Sequence, residues 1–426
     1  MNHQNLFESL RNRHPQFTYE GYSFELSENQ INITYNFRIG EAIRFTPQMS
    51  LQLGRYPMAA LDREHLDGII FHIGMIELIS YWKCACPPTV LIKGRRLTDA
   101  QQRWWKKLYW KGLGEFFHIN GIRSDESRFL SFQFEEGSPS TEDFTYRRVE
   151  ESEAVVVPIG GGKDSVVTLE QLRQKRRVVP FIINPRGATL ACARIAGFPH
   201  EEDIIILRRQ ISPELLELNK SGYLNGHTPF SAMLAFYTLL VSAATGIRDV
   251  ALSNESSANE PTIPGTDINH QYSKSSEFEE DFQQYVKENI ADLNHYYSHL
   301  RPYCELEIAR FFSQYPAYFP VFKSCNAGSK NDIWCCNCPK CLFAYIILSP
   351  FIDDPTMIRI FGEDLLDKPS LAPYFDELTG FAEEKPFECV GTIDEVNQAM
   401  SLIAENRKDK YLVKRWMDFQ KATISK

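Results

Sequence analysis

The chain reads as an α/β protein: a parallel-sheet nucleotide-binding domain over residues 151–348, an N-terminal α+β domain over 1–150 and a helical C-terminal portion over 349–426. Three observations lead there. From Ala154 onward, short apolar runs at 154–159, 178–183, 203–207 and 249–252 alternate with helical segments, the pattern of a parallel sheet covered on both faces. Between the first run and the first helix stands Gly160-Gly161-Gly162-Lys163-Asp164-Ser165. Ahead of both, residues 18–26 and 31–37 alternate polar and apolar side chains as half-buried strands do.

Taken in order, the N-terminal strands are followed by helical segments near 68–82 and 100–110. The first is the longest apolar stretch, but His72 and Glu77 interrupt it, and the run 341–352 is too short to cross a bilayer. After the glycine loop, Val166, Leu169 and Leu172 fall on one helical face. Residues 230–245 are apolar on nearly every side and end at Gly246, which predicts a buried helix with a glycine stop. From 349 acidic turns alternate with helical segments to which the sequence attaches no function.

Composition narrows the function classes. Of 426 residues 43% are hydrophobic and 24% charged, as in an ordinary soluble protein. The net charge of −9, with no long Lys/Arg block, argues against a nucleic-acid partner and favours a small-molecule substrate. The start Met1-Asn2-His3-Gln4-Asn5 is polar, so neither a secretory leader nor membrane insertion is expected. Five of the ten cysteines lie between 325 and 341, which suggests metal or redox chemistry in a cytoplasmic protein rather than a disulfide framework.

Glycines at a strand-to-helix turn let the backbone approach a ligand, and the amides of the new helix favour an anion there. Spacing restricts the kind of anion site. A Walker A loop would need glycine at Val157 and Ser or Thr at Asp164; a dinucleotide loop would need glycine at Ser165. The pattern S-G-G-x-D-S fits, with Gly160 in place of its first serine. The loop therefore resembles that of the N-type ATP pyrophosphatases, the PP-loop enzymes. The resemblance implies ATP and Mg2+ as cofactors and Gly160 to Ser165 as ATP-binding residues. Lys163 and Ser165 would contact phosphate, and Asp164 would orient the loop or the ATP-bound magnesium. Gly160 removes one hydroxyl contact that most such loops have.

Ligands of parallel sheets lie beyond the carboxyl ends of the strands, which points to 184–186 and 253–256. Asn254 and Glu255 are candidates to hold adenosine or magnesium, with a simple capped loop as the bland reading. His227, at a helix start, is a candidate acid/base or phosphate contact, although a lone histidine is more often structural. His270 and Lys274, in a polar and basic stretch, suit an anionic substrate or merely a solvated loop. Arg186 and Arg194 offer planar forks to carboxylate or phosphate, or else surface ion pairs. Cys325, Cys335, Cys338 and Cys341 form C-x9-C-x2-C-x2-C, able to surround a structural Zn2+. Reduced packed thiols and proton-moving catalytic thiols are the competing readings. Cys84 and Cys86 read as packing.

Further stretches carry a narrower likeness. They are Ile79-Ser80-Tyr81-Trp82-Lys83, Gly112-Leu113-Gly114-Glu115-Phe116-Phe117, Gly226-His227-Thr228-Pro229-Phe230-Ser231, Ser253-Asn254-Glu255 and Cys338-Pro339-Lys340-Cys341. In this order, over roughly residues 70–350, the chain resembles the UDP-N-acetyl-α-D-muramoyl-L-alanyl-L-glutamate epimerases of cell-wall synthesis. The resemblance implies ATP-dependent inversion of the terminal L-glutamate of a UDP-muramoyl-dipeptide through an acyl-adenylate, with release of AMP and pyrophosphate. Competing expectations are a deazaguanine nitrile synthase or amide-forming ligase, a tRNA-modifying enzyme, and a nucleotide-binding regulator without turnover. The inverting acid/base pair and the oligomeric state are not readable from these motifs.

Overall fold

The structure is a computed structural model that describes residues 3–59, 63–141, 153–263, 265–290 and 294–424. The expected boundary at 150 lies outside the described residues. The chain is a mixed α/β protein built on one large sheet. Its strands are β1 (Gln16–Ser27), β2 (Gln30–Ile39), β3 (Ile43–Phe45), β4 (Gln48–Gln52), β5 (Thr89–Ile92), β6 (Ser131–Phe134), β7 (Ala154–Pro158), β8 (Arg177–Ile183), β9 (Ile205–Gln210), β10 (Asp249–Leu252) and β11 (His295–Ser298). The spatial order is β11-β10-β7-β8-β9-β4-β2-β1-β5-β6, with β3 beside β2. The β11 to β9 half is parallel throughout, as the alternating pattern requires. It does not end there: β9 pairs antiparallel with β4, which joins the N-terminal strands to it.

Helices of the N-terminal half are α1 (His3–Arg13), α2 (Arg63–Trp82), α3 (Asp99–Gly112) and α4 (Gly114–Ile119). The parallel half carries α5 (Lys163–Leu172), α6 (Gly187–Ile195), α7 (Pro213–Lys220), α8 (Phe230–Thr245), α9 (Ser276–Asn289), α10 (Glu305–Ser313) and α11 (Pro339–Leu348). The chain closes with α12 (Asp354–Phe361), α13 (Ala372–Thr379), α14 (Ile393–Asn406) and α15 (Tyr411–Ile424). Helix α8 stops where expected, at Gly246 with φ +69°, a left-handed conformation that glycine adopts without a Cβ clash. The run 203–207 begins in a short 3-10 turn, so strand β9 starts only at Ile205.

Alternation along the strands divides the interior in two. Val156, Val179, Phe181, Leu207 and Val250 join α2, α3, α8 and α9 in one core, which continues under β1 and β2. Val155, Val157, Val178, Ile182 and Ala251 point the other way into a second core with α5, α10, α11 and α14. Both faces of the parallel strands are covered, which explains why these strands read as unbroken apolar runs. The chain winds from β7 through β8 to β9 in one direction, then returns to place β10 on the other side of β7. The loops after β7 and β10 thus flank a topological switch point, where open α/β sheets bind their ligands.

Candidate active site

The glycine loop follows β7 at this switch point. Gly161 has φ +83°, and a Cβ there would lie 3.2 Å from the Thr189 amide of α6. Its carbonyl accepts a 2.8 Å bond from the Lys323 amide, and a Cβ on Gly162 would meet Ser324 at 3.3 Å. The loop is therefore gripped from both sides, and the positive φ and close neighbours at 161 call for glycine there. Gly160 differs, since a Cβ there would meet nothing within 4 Å. Sterics do not demand glycine at that position. Gly162 caps α5 without a side-chain bond, and the Ser165 hydroxyl turns back to donate to the Gly162 carbonyl at 3.0 Å. The α5 amides are thereby aimed into the crevice.

Lys163 is buried against two carboxylates. Its ammonium donates to Asp164 Oδ1 at 2.5 Å and to Glu305 Oε2. Glu305 opens α10, and its amide donates to Glu395 Oε1 at 2.7 Å. One cation cannot neutralise two buried anions. Burial pushes the Glu305 carboxyl up to about 8 against the pull of Lys163, and Asp164 and Glu255 add their repulsion. Burial also works against Asp164, yet Lys163, with Lys340 and Lys274 behind it, holds that carboxyl below its ordinary value. Glu305 is thus the group that takes the proton. Past β10, Asn254 donates to the Ser298 hydroxyl at 3.0 Å, and buried Glu255 accepts from Ser257 at 3.3 Å. Half-buried Lys274 lies in the field of Asp164 and Glu255, which joins the two loops electrostatically.

A second group adjoins the first. Glu115 of α4 accepts from the His270 ring, and His227 Nδ1 lies 3.2 Å from the same carboxylate oxygen. The two imidazoles sit 4.6 Å apart, centre to centre. Lys83, at the end of α2, bonds the His227 carbonyl at 3.1 Å and the Thr228 hydroxyl at 2.5 Å. Burial, with His270 and Lys83 nearby, drops His227 to about 4, so it is neutral at pH 7. His270 rises to about 9 despite burial, because Cys389 and Glu115 both bond its ring. The carboxylate and rings satisfy one another beside the Lys83 ammonium, a poor place for a further cation.

The structure thus brings together Lys163, Asp164, Ser165, Asn254, Glu255, His227, His270 and Lys274 around one switch point. Arg186 and Arg194 are not brought in: they stand exposed at opposite ends of α6, and no contact among the described residues links either to the charged group. Asp332 caps that helix instead, accepting from the Gly187 and Ala188 amides at 2.9 and 3.0 Å. Sequence reasoning passed over Glu305 and Cys389, which only long-range contacts bring to the site. Glu115, Lys83 and Lys340 did lie within quoted stretches, unremarked.

The cysteines divide four to one. Sulfurs of Cys325, Cys335, Cys338 and Cys341 lie within 4.8 Å of one another, with closest pairs at 3.9 Å (Cys325 and Cys338) and 3.7 Å (Cys335 and Cys341). Tetrahedral zinc at Zn–S of about 2.3 Å would separate its sulfurs by about 3.8 Å. Amides of Gly328, Asn337 and Cys341 point at three of the sulfurs. Cys336 turns away, its thiol donating to the Phe361 carbonyl at 3.0 Å.

Fold and site together define an α/β protein with a glycine loop and an ionic cluster at its switch point. Residues 8–299 match the MurL N-terminal domain and residues 321–426 the MurL C-terminal domain. The chain belongs to the MurL family. Three similar proteins bear the name UDP-N-acetyl-alpha-D-muramoyl-L-alanyl-L-glutamate epimerase. That of Salinispora tropica is 35% identical over 93% of this chain and 86% of its own length. That of Xanthomonas oryzae pv. oryzae is 36% identical over 80% of this chain and 76% of its own. The protein from a Micromonospora strain is 33% identical over 93% and 88% respectively. No solved structure gives a significant match.

Proposed function

We propose that the chain is an ATP-dependent epimerase that inverts the terminal L-glutamate of UDP-N-acetylmuramoyl-L-alanyl-L-glutamate in peptidoglycan precursor synthesis. Its membership of the MurL family, alongside relatives of that name, supports the isomerisation. The observation that carries the ATP step is the loop Gly160 to Ser165 at the switch point, with Lys163 held between Asp164 and Glu305 at its base. A glutamate carboxylate makes its own α-proton very weakly acidic, because a second negative charge would form beside the first. Joining the carboxylate to AMP removes that charge and supplies an electron sink, so a base can then take the proton.

In this reading the α5 amides and Lys163 receive the departing pyrophosphate. Asp164 and Glu255 are the carboxylates available to ATP-bound magnesium, which neutralises phosphate charge. Lys274 and the His270 group would meet the dipeptide carboxylate. The four-cysteine group would hold a structural zinc. Its place in the chain fits that role, because the 323–341 segment supplies the Lys323 and Ser324 contacts to the loop and the Asp332 cap of α6.

Incubation with ATP, magnesium and the UDP-muramoyl-dipeptide, followed by hydrolysis and chiral analysis, tests the proposal. D-glutamate formed only with ATP, together with AMP and pyrophosphate, is expected; unchanged L-glutamate would remove the substrate assignment. Lys163→Ala and Asp164→Ala are expected to abolish AMP formation with an unaltered circular-dichroism spectrum. The fold tolerates loss of Lys163 because Glu305 is already uncharged and the partly exposed Asp164 keeps Lys340 and Lys274 as counter-charges. Wild-type turnover in either variant would sink the role given to the loop.

A further inference from the structure

Cys389 is carried on the stretch between α13 and α14, far in sequence from every motif. Its surroundings are not those of a packed thiol. Its thiol faces the His270 ring, which Glu115 engages from the other side, and the half-buried Lys274. Lys340 adds positive charge, and the neighbouring Glu388 is itself tied to Asn326. The stretch is fixed in place. Gln271, next to His270, donates to the Val390 carbonyl at 3.1 Å, and a Cβ on Gly391 would come within 3.0 Å of Glu305 Cγ. Cys389 is therefore held between the Glu115–His270 pair on one side and the Lys163–Glu305 pair on the other, with Lys274 spanning both. It is only half-buried, so a ligand in the crevice can reach it.

We propose that Cys389 is the base that removes the α-proton of the activated glutamyl group, with His270, Glu115 and Lys274 as positioning residues. The inference rests on the epimerase reading above. The arrangement keeps the thiol ionised: against the opposing effect of burial, Lys274 and the His270 bond bring it down to about 6. In the step, the Cα–H bond breaks, an S–H bond forms, and the electron pair moves into the adjoining carbonyl as an enolate. A water molecule then protonates Cα from the opposite face. Exchange with solvent then carries the thiol proton to the hydroxide left behind, which restores water and thiolate without net consumption of either.

The test separates activation from proton transfer. In D2O, with ATP, magnesium and the UDP-muramoyl-dipeptide, Cys389→Ser and Cys389→Ala are expected to retain pyrophosphate release. Deuterium uptake at Cα and D-glutamate formation should fall by at least about 10²-fold, the low end of what a general base contributes. D-glutamate formation near the wild-type rate, or loss of pyrophosphate release together with epimerisation, would overturn the assignment. Wild-type protein that releases no pyrophosphate would instead defeat the underlying reading. Iodoacetamide labelling of the wild type, read by mass spectrometry, covers the case in which the variants fold poorly. Cys389 should be alkylated ahead of the other cysteines, protected by the dipeptide with ATP, and slowed about tenfold or more by His270→Gln. Labelling that neither the dipeptide nor the His270 substitution affects would overturn it equally.

Discussion

At the residue scale, much of the ionisable chemistry is decided by which groups the fold leaves uncharged. His72 of α2 is buried among Phe71, Trp105 and Tyr285, and its Nδ1 lies 2.8 Å from the Gly68 carbonyl. A carbonyl only accepts, so Nδ1 carries the hydrogen and Nε2 presents a bare lone pair to the apolar pocket, where it has no partner. Burial accordingly brings His72 down to about 4. Between the ordinary histidine value near 6.5 and about pH 4, the unfolded chain binds a proton that the native one refuses. Stability from this residue is complete above that window and is lost as pH falls through it, by about 1.4 kcal/mol per pH unit. Comparing urea melts of wild type and His72→Asn at pH 4.5, 5.5 and 6.5 isolates the effect. The wild type should lose stability more steeply, and parallel curves would show that His72 is not neutral in the native state. In the sequence His72 was visible only as an interruption of an apolar run. The same limit applied to Lys163: its motif located it, but its partner Glu305 lies 142 residues away and no local pattern marks it.

At the element scale, long and uniformly apolar segments were legible and short polar-edged ones were not. Helices α2 and α8 follow directly from apolar runs longer than any strand, and the strands of the parallel half from β-branched runs between turns. Strands β4, β5 and β6 have four or five residues and alternate burial, so they carry little signal before their neighbours are known. Close packing of α2 on β1 and β2 has its own signature. The Tyr35 hydroxyl donates to the Ile70 carbonyl at 2.9 Å and that of Tyr19 to the Phe71 carbonyl at 3.4 Å, which brings both rings down onto the helix backbone. Gly74 makes room for them: a Cβ there would collide with Tyr19 and lie 2.8 Å from Tyr35. Both tyrosines are fully buried and cannot swing aside. Gly74→Ala, though it raises helix propensity, is therefore expected to cost about 1–3 kcal/mol through overpacking. Denaturant titration would measure it, and a variant as stable as wild type would mean that α2 can shift on the sheet.

At the scale of the whole molecule, the seam between β4 and β9 decides whether the sheet behaves as one body. Five residue pairs from Gln48↔Gln210 to Gln52↔Ile206 join the halves, and one core runs beneath the seam from Tyr35 and Leu51 to Leu207 and Phe181. Arg209 of β9 leaves the seam to meet Glu77 of α2 in a two-pronged bond, with Nε at 2.7 Å and Nη2 at 2.8 Å. Glu77 is entirely buried, and Tyr237 of α8 donates to it as well. Strand, N-terminal helix and central helix are thus locked at a single carboxylate. Removing the guanidinium leaves that carboxylate buried without its counter-charge, so Arg209→Ala is expected to destabilise the protein by about 3–5 kcal/mol. Replacing both partners, Glu77→Leu with Arg209→Met, removes the charges along with the bond and should restore most of the loss. Hydrogen exchange followed by mass spectrometry shows how far the damage travels. In Arg209→Ala, peptides covering 30–52 and 154–183 should lose protection together, because the strands share one core across the seam. Exchange confined to 30–52, with 154–183 still protected, would show instead that the sheet is two units in contact, and that the active-site half folds without the other.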